Sequence, residues 1–477
     1  MSDATRYASP LGTRYASREM QELFGAQQRV GLWRRLWIAL AEGQRDLGVP
    51  IPEGAIAELR AAADSIDFEK AAAYEARFRH DVVAHVHALG DAAPSARPYI
   101  HLGATSAYVT DNADLIIARE GLRLVLLRLG AVLRALAPLA ERYRNLPTLA
   151  YTHLQPAQLT TVGKRCTLWM QDFVLDAREI QHRIGGLALL GCKGTTGTQA
   201  SFLELFQGDH AKVRELDQRI ANKMGFAEVV PVSGQTYPRK TDTLLLNALA
   251  SVAQSAAKMA ADVRLLQHEG EVLEPFEAEQ IGSSAMAYKR NPMRAERIAS
   301  LARYVMHLPA NASETAAQQW FERTLDDSAN RRIVLPEAFL ATDAILILAE
   351  NVAWGLEVRE RVIRQHVLRE LPFMATERCL MLGVAAGGDR QALHEVIRRH
   401  SLDVARAIAE DGAANDLLHR LAGDPAFRGA DVAGVAGDLD PLHYCGRAPE
   451  QVEEFLREVA RPLLDQLGDA PPGEVRV

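Results

Sequence analysis

The sequence predicts an all-α subunit of three domains around a central bundle of long helices. Three observations predict it. Four stretches carry apolar residues at alternating steps of four and three, the mark of one apolar stripe along a helix. No period-two alternation of useful length occurs, and the best strand candidate is a short run around 228–232. Short polar stretches, several with glycine or proline, separate the stripes.

Taken in order, residues 1–105 read as an N-terminal helical domain. Ser17 suits the cap of a helix from Arg18 to Leu47, stopped by Gly48 with Pro50 and Pro52 beyond. Further helices are expected over Glu53–Ala63 and Asp67–Arg79. Residues 106–357 form the central domain. One stripe runs Leu122, Leu126, Leu129, Leu133, Leu136, Ala140, and a second runs Val162, Cys166, Trp169, Phe173, Ala177, Ile180, Ile184. A third runs Leu245, Leu249, Val252, Ala256, Met259, Val263, Leu266, and a fourth Val334, Ala338, Ala341, Ile345, Leu348, Val352. Helices of some 25 residues are about 40 Å long and pack near-parallel as a bundle. Small residues on several sides of the third helix, such as Ala248, Ala253 and Ala257, suit contact all round it, between subunits as well as within one. Residues 358–477 form a C-terminal domain of shorter helices, broken at Pro372, at Gly387-Gly388 and across 423–440. Asp389 suits a cap for a helix through Ile408, 434–446 reads as loop, a last helix covers 449–467, and the Pro471-Pro472-Gly473 tail is expected to be disordered.

Composition narrows the function classes. The chain has 477 residues, 48% of them apolar and 24% charged, the balance of a globular protein. A net charge of −7 argues against a nucleic-acid coat or a membrane-adhering surface, but not against a small anion held by local arginines. Four scattered cysteines share no metal-ligand spacing and read as reduced thiols. The polar first ten residues hold no apolar signal core, and nothing approaches the roughly 20-residue apolar run of a membrane span, so a cytoplasmic location is expected.

The stretch most able to carry chemistry is 281–292. Its Gly282-Ser283-Ser284 opening holds a helix poorly, while Pro292 suits the first turn of the next helix. It reads as a mobile loop bearing Ser283, Ser284, Lys289, Arg290 and Asn291. Other polar clusters also sit at helix ends: Arg79-His80-Asp81, Thr105-Ser106, Thr152–Pro156 and Lys193–Gln199. Arg297, Arg323, Ser328, Arg331 and Arg332 come after the loop. Taken singly these are ordinary features: His153 suits a turn and Arg331-Arg332 a solvated face. The run at 193–199 lacks the order of a nucleotide P-loop, yet its N–H groups and hydroxyls suit an anion. There is no zinc, redox or dinucleotide motif. Together, hydroxyls, histidines, a lysine and arginines suit proton transfer on a polyanion. Elimination beside a carboxylate builds charge there that fixed cations and N–H dipoles stabilise.

The loop resembles the signature loop of the fumarase/aspartase superfamily, Gly-Ser-Ser-x-Met-Pro-x-Lys-x-Asn-Pro, with Ala287 where that pattern has proline. The whole chain resembles one branch, the adenylosuccinate lyase family of animal type. The resemblance rests on Thr13–Ser17, Arg79–Val82, His101–Ser106, Thr152–Arg165, Lys193–Ser201 and Trp320–Arg332. It implies a homotetramer with each active site drawn from three subunits, and no cofactor or metal. It implies release of fumarate from adenylosuccinate, leaving AMP, and from succinylaminoimidazole-carboxamide ribotide (SAICAR), leaving its carboxamide ribotide (AICAR). By the same matching Ser283 is the general base and His153 the general acid, with Glu296 orienting that histidine. His80 is a second site histidine, and Lys289 holds a succinyl carboxylate. Arg14, Tyr15, Arg79, Asp81, Thr105, Ser106, Gln235, Asn291, Arg297, Arg323, Ser328 and Arg332 contact substrate. A sister activity on argininosuccinate, fumarate or aspartate, or an inactive helical scaffold, are the competing readings.

Overall fold

The structure, a computed structural model, describes residues 5–476. The N-terminal part holds α1 (Arg18–Leu23), α2 (Ala26–Asp46), α3 (Glu53–Ala61), α4 (Phe68–Phe78) and α5 (Asp81–Ala92). Ser17 caps α1 by accepting from the Met20 N–H, as expected, but the single helix expected over 18–47 is two. Gly25 takes an extended conformation (φ −69°, ψ 156°) and ends the first of them.

The four stripes then form α6 (Ser106–Arg142), α7 (Val162–Gly185), α10 (Lys240–His268) and α13 (Asp327–Gly355). Between α6 and α7 lie β1 (Pro147–Thr152) and β2 (Gln155–Thr161). Between α7 and α10 lie α8 (Ala200–Leu205) and α9 (His210–Lys223). Between α10 and α13 lie β3 (Val272–Leu273), α11 (Met293–His307) and α12 (Pro309–Ala317). The stripes interlock in one core: Leu129 and Leu136 of α6, Trp169 and Phe173 of α7, Leu249 and Met259 of α10, and Ala338 and Ile345 of α13. Phe173 is fully buried there, so truncating it to alanine costs about 3–5 kcal/mol.

The chain ends with β4 (Glu357–Val358), α14 (Glu360–Met374), α15 (Thr376–Ala385), α16 (Arg390–Asp411), α17 (Leu417–Gly423), α18 (Val432–Gly437), α19 (Ala448–Phe455) and α20 (Arg461–Leu464). Asp389 caps α16 as expected. Several expectations here need correction. Pro372 lies inside the last turn of α14 rather than breaking it. The stretch 434–446 holds the end of α18 and a short 3-10 turn. The tail is irregular but docked: Arg128 donates to the Pro471 carbonyl, and Val475 packs on the bundle core.

The small sheets also differ from expectation. The run 228–232 forms only an isolated bridge, Leu189 with Val229, whereas β1 and β2 make an antiparallel hairpin that the sequence did not signal. No helix among the described residues is long and apolar enough to cross a membrane.

The two ends of the bundle are built differently. At the first, the Gly191 N–H donates to the Asn112 side chain (3.0 Å) and the Tyr237 N–H to Asp111 (3.1 Å), tying the start of α6 to the segment after α7 and to the turn before α10. At the second, the Gly163 N–H donates to the Tyr143 carbonyl (2.9 Å) and β3 pairs with β4. The 37-residue α6 spans the two, about 55 Å at 1.5 Å per residue.

Candidate active site

A cavity of about 400 Å³ opens at the first end. Seven of the expected site residues line it: Arg79, His80, Asp81, Ser106, Arg323, Ser328 and Arg332. Local structure explains their placement. Arg79 ends α4 in the left-handed region (φ 55°), which turns the chain sharply into α5. His80 caps α5, its Nδ1 accepting from the Val83 N–H at 3.4 Å. That bond leaves Nε2 as the proton-bearing nitrogen available to a ligand. Arg332 donates to Asp81 (2.8 Å). Burial pushes the Asp81 pKa up, but the Arg332 bond and the Val82 N–H outweigh it and hold the carboxyl below its usual range.

Beneath the cavity lies a buried lattice of charges. Arg239 donates to Asp111 (2.9 Å) and to Asp327 (2.7 Å). Arg331 donates to Asp242 (2.7 Å), to Asp114 (3.0 Å) and to the Tyr237 hydroxyl, which itself donates to Asp242 (2.6 Å). Asp327 also receives both bonds of Arg323 (2.8 and 2.9 Å). Burial opposes ionisation of Asp327, yet Arg239 and Arg323 together keep its pKa low. The solvated face expected of the Arg331-Arg332 pair is therefore half right: Arg332 is exposed, while Arg331 is buried in this lattice. The sequence offers no local signal for the lattice, because its members come from α6, α10, α13 and the turn before α10.

The Lys193–Gln199 loop joins the same end. The Gln235 side chain donates to the Thr195 carbonyl (3.0 Å) and its N–H to Glu322 (3.0 Å). A Cβ at Gly197 would collide with the Ser233 carbonyl, so only glycine lets these backbones approach. Thr105 precedes α6 beside Ser106.

The remaining expected residues sit elsewhere. His153 and Leu154 form the two-residue tip of the β1–β2 hairpin, with φ of 54° and 59°. Two consecutive positive φ values mark a type I′ turn, which usually takes Asn-Gly. Non-glycine residues there cost about 1–2 kcal/mol each, strain of the kind that collects at functional positions. His153 is exposed and has no hydrogen bond among the described residues. The hairpin packs on α14 and Cys445 through Leu149, Leu159, Ile363 and Val367. Seven residues of β2 reach about 20 Å, less than half the length of α6. The tip therefore cannot meet the cavity of its own chain.

The 281–292 loop also lies toward the second end. Ser283 Oγ accepts from the Ala285 and Met286 N–H groups (3.4 and 3.2 Å). Donors so placed favour an alkoxide at that oxygen. Asn291 ties the loop by donating to the Gly282 carbonyl (2.8 Å). A Cβ at Gly282 would collide with the Lys289 carbonyl, which explains the glycine. Lys289 is exposed and closes a turn to Met286 through its N–H (3.1 Å), with Ala287 at the second position. Glu296 lies in the first turn of α11, exposed, and no bond joins it to His153 among the described residues. Arg297 stands over the Tyr15 ring at 5.7 Å, with Arg14 in the same turn as Tyr15. Glu274 was not anticipated: its two oxygens accept from the Arg294 and Ala295 N–H groups (2.9 and 3.0 Å), capping α11 from a distance.

Comparison with known proteins agrees with this architecture. Residues 60–307 match the Lyase family model and 372–455 the Adenylosuccinate lyase C-terminus model. An adenylosuccinate lyase from Schizosaccharomyces pombe is 50% identical over 97% of both chains. The chain belongs to the adenylosuccinate lyase family. Family members from Schistosoma mansoni and Caenorhabditis briggsae are 48% and 37% identical, each over at least 98% of both chains. Among solved structures, a fumarate lyase from Mesorhizobium superimposes with a TM-score of 0.81 at 26% identity, covering 95% of this chain and all of that one. As a member of this lyase family, the chain carries the all-α fumarase/aspartase fold.

Proposed function

We propose that the protein splits adenylosuccinate into AMP and fumarate, and SAICAR into AICAR and fumarate, by β-elimination. The observation that carries this reading is full-length identity of about half with an adenylosuccinate lyase. An arginine-lined cavity and a serine held in N–H dipoles support it.

In the reaction Ser283 Oγ takes a proton from the succinyl carbon beside a carboxylate. The electron pair of that C–H bond forms the double bond of fumarate, the C–N bond breaks, and His153 delivers a proton to the departing nitrogen. Lys289 balances charge on the carboxylate as it develops. Glu296 orients His153, and His80, with Nε2 carrying its proton, holds phosphate or orients the substrate. Arg14, Tyr15, Gln235, Asn291 and Arg297 complete the substrate contacts.

The reading requires a homotetramer in which three chains build each site. The length of α6 supports it, since the histidine cap and the hairpin tip of one chain lie at opposite ends. Exposed apolar residues support it as well: Leu168 and Leu175 on α7, Leu265 on α10, and Phe321, fully exposed beside Trp320. A division at 105 and 357 and a cytoplasmic location belong to the same proposal.

Fumarate release followed by ultraviolet absorbance, with adenylosuccinate and argininosuccinate in parallel, tests it. Turnover of adenylosuccinate is expected. Turnover of argininosuccinate alone, or of neither, sinks the assignment.

A further inference from the structure

Most cations around the cavity are already engaged. Arg239 and Arg331 are buried in ion pairs, Arg323 bonds Asp327, and Arg332 bonds Asp81. Arg29 of α2 is different. It lines the same cavity, and its side chain has no hydrogen bond or ion pair among the described residues. Its Nε is buried without any partner. Trp33, one helical turn further along α2, faces the same cavity and has its Nε1–H buried and unpaired too. Two unmet donors on one helix face are costly unless something fills them, and a guanidinium matches an oxyanion best.

We propose that Arg29 is an oxyanion-binding residue of this site, taking either the phosphate or a succinyl carboxylate of the substrate. The inference rests on the function proposed above and adds a residue that no sequence motif marks. A purely structural alternative exists: the Arg29 charge acts on Asp114, whose carboxyl burial pushes up and whose ion pair with Arg331 pulls back. The two roles separate experimentally.

The assembled enzyme is compared as wild type, Arg29→Gln and Arg29→Lys. Loss of one charge-assisted contact is expected to raise KM for adenylosuccinate about tenfold in Arg29→Gln with kcat little changed, and Arg29→Lys recovers most of it. Inhibition by inorganic phosphate and by fumarate is measured on each. Weakened phosphate inhibition assigns Arg29 to phosphate, and weakened fumarate inhibition assigns it to the carboxylate. Unchanged KM and unchanged inhibition by both anions overturn the proposal, and a lowered melting temperature as the sole change assigns Arg29 to Asp114 instead. Thermal stabilisation of wild type by inorganic phosphate, absent in Arg29→Gln, reads the site even if adenylosuccinate proves not to be turned over.

Discussion

Arg239 and Lys289 are cations toward opposite ends of the bundle, and their surroundings are opposite too. Arg239 is 3% exposed and divides its donors between Asp111 and Asp327. Lys289 is exposed and makes no ion pair among the described residues. The first end of the bundle sets charge against charge, which fixes where the helices start. The second end leaves the His153 imidazole and the Lys289 ammonium unpaired among the described residues, on a hairpin tip and a loop, and gives the Ser283 hydroxyl only backbone N–H donors. Rigid geometry and available chemistry are thus kept in different regions, and one chain does not bring them together.

Breaking the buried side should have the largest effect. Arg239→Met leaves Asp111 buried without its bonded cation and Asp327 with Arg323 alone, and should remove about 3–5 kcal/mol of stability, read as a fall in the denaturant midpoint. Ser283→Ala should do the reverse: stability and assembly unchanged, with kcat down about 10²–10⁴-fold. Equal loss of fold in both variants would erase the contrast.

Acid sharpens it further. Asp81 and Asp327 have folded pKa values below their ordinary value, taken as about 3.9 in the unfolded chain. Their stabilising contribution is complete above that value and is lost as pH falls through the folded pKa values. The urea midpoint should therefore drop below about pH 4, and Asp327→Asn should make that drop shallower. A variant with an unaltered acid slope would contradict the role given to the lattice.

The smallest expected effect is at Ala287. Its turn position accepts proline, and its N–H is in no hydrogen bond among the described residues. Ala287→Pro should stiffen the loop by about 0.4–1 kcal/mol and change kcat or KM by less than about fivefold.

Much of the fold and site was legible in the sequence, and the exceptions have physical reasons. Stripes such as Cys166–Trp169–Phe173 declare α7 because each apolar residue there is buried on one face. Caps at Ser17 and Asp389 declare helix starts through one local hydrogen bond each. The 281–292 loop stands out because close backbone approach at Gly282 demands glycine. The hairpin was invisible because β2 is exposed on both faces over its first four residues and a bulge at Ala150/Tyr151 breaks any alternation in the pair. The lattice was invisible because Asp111, Asp242 and Asp327 each resemble ordinary acids near a helix start, and the bonds that join the helices, Arg239 to Asp111 and Asp327 and Arg331 to Asp242, span 88 to 128 residues of sequence. Arg29 carries no motif at all; only an unmet donor in a cavity reveals it.

The central claim is that a complete site unites the first end of one chain with the second end of another. Mixing His80→Ala protein with His153→Ala protein, after subunit exchange, tests it most directly. Random exchange gives about a quarter of sites with both histidines intact if they come from different chains, so activity should rise from near zero to about that share of wild type. Mixtures that exchange fully yet stay as inactive as either parent would contradict the account.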